Sequence, residues 1–125
     1  MKILKLDDVI LFHRKIIKST GGSDGIRDLS LIESSIYNAF QTFDGKDLYE
    51  SDLKKIAVTA YSLIKNHGFV DGNKRIGVAV MLLLLRLNDI QINYSQDEIV
   101  ALGIGTASGE LKEEDIEQWI IRHQV

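Results

Sequence analysis

From Ile76 to Leu85 the chain reads Ile-Gly-Val-Ala-Val-Met-Leu-Leu-Leu-Leu. No other stretch constrains the fold as much. A helix built from it is apolar on every side, and such a helix belongs in the middle of a fold, surrounded by other helices. The run is too short to cross a bilayer, and Arg86 cuts it off. The polar stretch before it, His67-Gly68-Phe69-Val70-Asp71-Gly72-Asn73-Lys74-Arg75, is therefore held at the mouth of a buried central helix.

The rest of the chain has to supply that helix with neighbours. Proline is absent, so glycines and capping residues mark the boundaries. Apolar spacing predicts a first helix from about Asp7 to Lys18, capped by Asp7, with Val9, Phe12, Ile16 and Ile17 inward. A second runs from about Asp28 to Phe40 on the stripe Leu29, Ile32, Ile36 and Phe40. Ser51 or Asp52 caps a third that ends at Asn66, and the central helix covers Asn73 to Leu87. Ser95 caps a fifth, from Gln96 to Ala107, and the last spans Lys112 to Arg122. Gln41 to Glu50 is a connection with the turn signal Asp44-Gly45. Ile90 to Tyr94 alternates like a strand but has no evident partner, so it reads as an extended connection. The expected fold is all-α, a compact bundle of about six helices around a buried central helix. With 125 residues, 45% of them hydrophobic, one domain over residues 1–125 is expected.

Composition removes several classes of function. A formal net charge of −3 gives no reason to expect direct nucleic-acid binding or a membrane partner. The absence of cysteine excludes disulfides, thiolate chemistry and cysteine-ligated metal. The start, Met-Lys-Ile-Leu-Lys-Leu-Asp-Asp, lacks the continuous apolar core of a signal peptide, and the expected location is cytoplasmic.

The loop before the central helix carries an electrostatic oddity. The first turn of a helix has unpaired N–H groups and partial positive charge, so basic residues there are disfavoured by about 0.3–1 kcal/mol each. Asp71 or Asn73 can cap, yet Lys74 and Arg75 follow directly. A bound phosphate reverses the cost, because amides, dipole and side chains then all face an anion. Gly72 allows close backbone approach to such a ligand. The plainer reading is ordinary turn chemistry, with Gly68 ending one helix and Lys74 bent into solvent. His67 lies three residues after Ile64 and four after Leu63, continuing the stripe of Ile56, Ala60, Leu63 and Ile64. An imidazole held beside an anion site has the makings of a general base.

The nine residues from His67 to Arg75 resemble the signature of the Fic/Doc (Fido) superfamily. That signature is His-x-Phe-x-acidic or Asn-Gly or Ala-Asn-Gly or Lys-Arg. Lysine at position 74 makes the stretch most similar to the Doc, or death-on-curing, branch. Gly-Gly-Ser-Asp-Gly-Ile-Arg-Asp at 21–28, Leu31-Ile32-Glu33-Ser34 and Gly105-Thr106-Ala107-Ser108-Gly109-Glu110 also look Doc-like. The resemblance implies the Fido fold and a toxin of a toxin–antitoxin pair. It implies ATP and Mg²⁺ as cofactors, His67 as catalytic base and Asp71 as the metal carboxylate. Gly72, Asn73, Lys74 and Arg75 then hold phosphate. Residues 41–50 correspond to a flap that aligns the target; read from the residues alone, they are equally a loop pinned by its aromatics.

Two departures from the larger Fic branch bear on the reaction. Where that branch has glycine and a second arginine, this chain has Lys74 and Val78. Resemblance to Doc then implies reversed ATP, presenting its γ-phosphate to a protein hydroxyl, with a threonine of elongation factor Tu as implied target and translation as the process inhibited. AMP transfer and a non-catalytic binding module are the rivals. Thr106 to Leu111 lacks the full self-inhibitory motif of some Fic proteins, so a separate antitoxin is implied. His13 and His123 carry little weight, Arg86 lies about 16 Å along the helix from Arg75, and Arg27 could reach the site from another helix.

Overall fold

Side chains that can accept from free backbone amides set where the helices begin. The computed structural model describes residues 1–125 and contains α1 (Leu6–Thr20), α2 (Leu29–Tyr37), a 3-10 turn (Asn38–Phe40), β1 (Thr42–Phe43), β2 (Lys46–Asp47), α3 (Asp52–Asn66), α4 (Asn73–Leu87), α5 (Gln96–Ser108) and α6 (Glu113–His123). Asp28 accepts from the Leu31 amide, Ser51 from Lys54 and Ser95 from Glu98, each satisfying an N–H that has no partner inside its helix. Ser95 and Glu98 bond reciprocally as a capping box. α1 starts at Leu6, one residue before the expected cap, because Asp8 reaches back to the Lys5 amide at 3.0 Å.

α3 and α4 share the centre. Every residue from Lys55 to Ala60 is buried, since α3 is covered by α2, α4, α5 and α6. α4 buries Ile76, Val80, Met81, Leu84 and Leu85 and packs on α1, α3 and α5. Gly77 permits the α3–α4 crossing, since a Cβ there would lie 2.4 Å from Ile64 Cγ1. Its outer face is only partly covered: Val78, Ala79 and Leu82 line an open groove of about 450 Å³ with residues of α1 and α5. Val9, Ile32, Ile36, Ile99, Leu102, Ile116, Trp119 and Ile120 complete the core. Leu29 departs from its expected stripe and is half exposed, because it is the first residue of α2 and lies beyond the packed turns.

Two connections are more ordered than their sequence suggests. Asp44 and Gly45 both take positive φ, 55° and 78°, and join β1 to β2 as a two-residue hairpin. Lys55, though buried, sends its ammonium to Asp47 Oδ2 at 3.2 Å and so ties the hairpin to α3. The segment around Ile92 does have a partner. Ile92 bridges Gln124, the Asn93 amide donates to His123 O at 2.8 Å, and the Val125 amide donates to Gln91 O at 3.0 Å. The strand-like alternation marked the segment, but its partner lies at the far end of the sequence, and no local pattern names it. No helix is long and apolar enough to cross a membrane.

Candidate active site

The loop between α3 and α4 begins with a strained residue. His67 caps α3 in the left-handed conformation, φ 51° and ψ 49°, and its side chain is exposed. It therefore does not continue the apolar stripe of α3; the positive φ turns the chain away one residue too early. Histidine tolerates this region better than branched residues, but the conformation costs of order 1 kcal/mol and needs support. Arg27 supplies it. Its Nε donates to His67 O at 2.5 Å and its Nη2 to Asn66 O at 3.1 Å, which also places a cation at the negative end of the α3 dipole. The backbone of 25–28 runs alongside the loop: Arg27 and Asp28 amides donate to Gly68 O, and the Val70 amide to Gly25 O.

From Phe69 onward the loop is anchored from both sides. Phe69 is 2% exposed and belongs to the core. Asn73, 9% exposed, clasps it: Oδ1 accepts from the Phe69 amide and Nδ2 donates to the Phe69 carbonyl, both at 3.1 Å. The Asn73 side chain is thus turned back into the loop, and it does not cap α4. Gly72 holds the N-cap position at φ 80°, with no side-chain cap on the helix. A Cβ there would lie 3.0 Å from Ile17 Cδ1 and 3.4 Å from His13 Nε2, so this glycine lets the loop press on α1.

The Asp71 carboxylate lies at the surface end of this loop, its side chain 46% exposed. Oδ2 accepts from the Ser23 amide at 3.1 Å and Oδ1 from the Gly72 amide at 2.8 Å, with Arg75 Nη2 3.5 Å away. The Ser23 amide first, then the Gly72 amide and the Arg75 charge, hold this carboxyl below the usual range and keep it ionised. Gly22 makes the approach possible, because a Cβ there would lie 2.4 Å from Asp71 Oδ2. No three acidic, histidine or cysteine side chains converge on one point, so the protein offers no closed metal cage. One ionised, half-exposed carboxylate fits Mg²⁺, which commonly takes one or two carboxylates and completes its shell with water and phosphate oxygens.

Lys74 and Arg75 separate in role. Arg75 is engaged within the protein: Nη1 donates to Thr20 Oγ1 at 2.6 Å and to Gly21 O at 2.7 Å, tying the end of α1 to α4. Lys74 is exposed and forms none of the ion pairs, standing where the open groove meets the start of α4. With no side-chain cap, the amides of Asn73, Lys74 and Arg75 also lack protein acceptors. The structure therefore places Asp71 and Lys74 at an uncapped helix start, with His67 exposed at the other end of the same loop, where it caps α3. Arg86 lies elsewhere, on a second hollow with Asp89 and Asn93 that shares Leu82 and Tyr94 with the groove. His123 also lies elsewhere, stacked on Trp119 and bonded to Glu98 at 2.5 Å.

Four contributors escaped the sequence reading: His13, Gly22, Ser23 and the backbone-directed role of Arg27. The pair Gly21-Gly22 carried a usable signal, since adjacent glycines after a helix allow close approach of another chain segment. Residues 3–85, from before α1 to near the end of α4, match the family model described as the Fic/DOC family. The chain belongs to the Fic/DOC family. Among individual members, this Fic/DOC chain is 35% identical over 72 residues to the Toxin Doc of Mycolicibacterium smegmatis, a match spanning 58% of the chain and only 55% of that protein. It is 29% identical over 116 residues to the Protein kinase doc of Escherichia phage P1, covering 89% of this chain and 86% of that one.

Proposed function

We propose that residues 1–125 act as one Doc-type domain, the toxin of a toxin–antitoxin pair, transferring the γ-phosphate of ATP to a hydroxyl of a protein. The observation that carries this reading is the uncapped start of α4, with three unpaired amides, a free Lys74 and an ionised Asp71, at the end of a loop in which His67 is exposed. Kinship with proteins named Toxin Doc and Protein kinase doc supports the same reading.

Each residue has a task in that chemistry. The α4 amides and Lys74 bind phosphate oxygens, and Asp71 binds Mg²⁺. Bound Mg²⁺ supplies charge neutralisation between phosphates. Gly72 and Asn73 shape the nest, and Arg75 adds positive charge while fixing α1 to the loop. His67 accepts the proton of the acceptor hydroxyl as its oxygen bonds to the γ-phosphorus; the bond to the β,γ-bridging oxygen breaks and ADP leaves. Lys74 and Val78, where the Fic branch has glycine and a second arginine, favour γ-phosphate over AMP transfer. The protein substrate is elongation factor Tu, the partner is a separate antitoxin, and the location is cytoplasmic.

Incubation of a cell extract with γ-labelled or α-labelled ATP tests the reading. Label is expected on a protein from the γ-position only, and lost in His67→Ala. Transfer from the α-position would establish AMP transfer instead. Tight partner binding with neither label transferred, unchanged by His67→Ala, would identify a binding module.

A further inference from the structure

α1 carries one polar residue into the interior against the loop. His13 is 1% exposed and follows Val9 on the same inward face, with Ile17 one turn further. Its ring stacks on Phe69, centroids 3.7 Å apart and planes at 11°. Nε2 lies 2.7 Å from Asp71 O, and since a carbonyl only accepts, Nε2 carries the hydrogen in either protonation state of the ring. Nδ1 lies 3.9 Å from Asp24 Oδ1, and that carboxylate is itself paired with Arg14 at 3.4 Å.

A phenylalanine could cover Phe69 as well, so packing alone does not call for an imidazole. Burying a polar ring is costly unless it makes a hydrogen bond. What imidazole adds is the bond to Asp71 O, and that atom matters because of what shares its peptide unit. The Asp71 carbonyl and the Gly72 N–H are opposite ends of one rigid plane. His13 holds the carbonyl end, and the N–H end donates to Asp71 Oδ1 at 2.8 Å. Ser23, just beyond the end of α1, holds Oδ2. Both oxygens of the carboxylate are thereby oriented from α1, one through the following loop and one through this peptide.

We propose that His13 is a positioning residue for the Asp71 carboxylate, acting through the Asp71–Gly72 peptide plane. Its effect on catalysis rests on the metal role given to Asp71 above; its effect on geometry does not. Groups that orient a metal ligand commonly change metal affinity by about 10–100-fold when removed.

Amide hydrogen exchange on the ¹⁵N-labelled chain without nucleotide tests the geometry. His13→Phe keeps the ring stack and lacks the donor; His13→Gln restores an N–H at a similar reach. In His13→Phe the Gly72 amide is expected to exchange at least about tenfold faster, with amides of Leu102 and Ile120 unchanged, and in His13→Gln to return close to wild type. An unchanged Gly72 amide in His13→Phe would overturn the proposal. Should exchange rise throughout His13→Phe, the comparison passes to His13→Gln and His13→Asn, whose amide is one carbon short. Equal Gly72 exchange in those two would overturn it equally. In the γ-phosphate assay, half-maximal Mg²⁺ is expected to rise about 10–100-fold in His13→Phe and to recover in His13→Gln. If wild type transfers no label, the functional reading fails while the exchange result still decides the role of His13.

Discussion

Asn73 separates scaffold from ligand binding more sharply than any other residue of the loop. It is nearly buried and makes two 3.1 Å hydrogen bonds, one to each backbone group of Phe69. Asn73→Ala removes both and leaves a buried N–H and a buried C=O without partners. Each such group costs about 1–3 kcal/mol, and water entering the vacated space recovers part of it, so a loss of about 2–4 kcal/mol is expected. For a chain of this size that corresponds to a fall in Tm of roughly 6–20 °C. Asn73→Asp keeps the acceptor for the Phe69 amide but sets an oxygen against the Phe69 carbonyl. Its charge at a helix start returns about 0.3–1 kcal/mol, so it should fall between wild type and alanine. Urea denaturation without nucleotide, with unchanged m-values, measures all three proteins. An Asn73→Ala protein within about 0.5 kcal/mol of wild type that had lost ATP binding would refute the clasp and leave only a ligand role.

Lys74 and the Glu98–His123 pair give further tests. Lys74→Gln should leave stability without ligand unchanged or raise it by up to about 1 kcal/mol, because a cation at a helix start opposes the dipole. The same variant should show a smaller Tm rise with Mg²⁺-ATP, since a ligand stabilises in proportion to its binding; a clear loss of stability with an unchanged ATP shift would make the lysine structural. The pair Glu98–His123 should give pH-dependent stability. Hydrogen bonding to His123 lowers Glu98 from 4.5 to about 2, and Glu98 in turn raises His123 above 6.5. The glutamate's contribution is full above 4.5 and fades as pH falls toward 2, whereas the histidine's is full below 6.5 and fades as pH rises through its raised value. The Tm difference between wild type and His123→Gln should therefore peak between pH 4.5 and 6.5. A flat difference across pH would show that only the stack on Trp119 matters.

Local chemistry determined much of this protein in advance. The central helix spans Asn73–Leu87 as its apolar run requires, and Ser51 and Ser95 cap where short hydroxyl side chains precede helical spacing. Such features depend on neighbours within one or two turns, so they are legible in a linear string. The nine-residue loop was legible for the same reason, as its residue types are contiguous.

Tertiary structure decided how those residues divide their work. Whether Arg75 faces a ligand or Thr20 and Gly21 O depends on where the end of α1 lies, more than fifty positions away. Asn73 turns back to Phe69 because Gly72 takes φ 80° and directs the chain toward α1. His13, an isolated histidine in a helix by sequence, becomes a partner of Asp71 only when α1 packs across the loop. Hydrogen bonds between segments so far apart follow from packing of whole helices. No local pattern of residues encodes them, which is why Lys74 alone among the loop's cations could be read as free only from the folded chain.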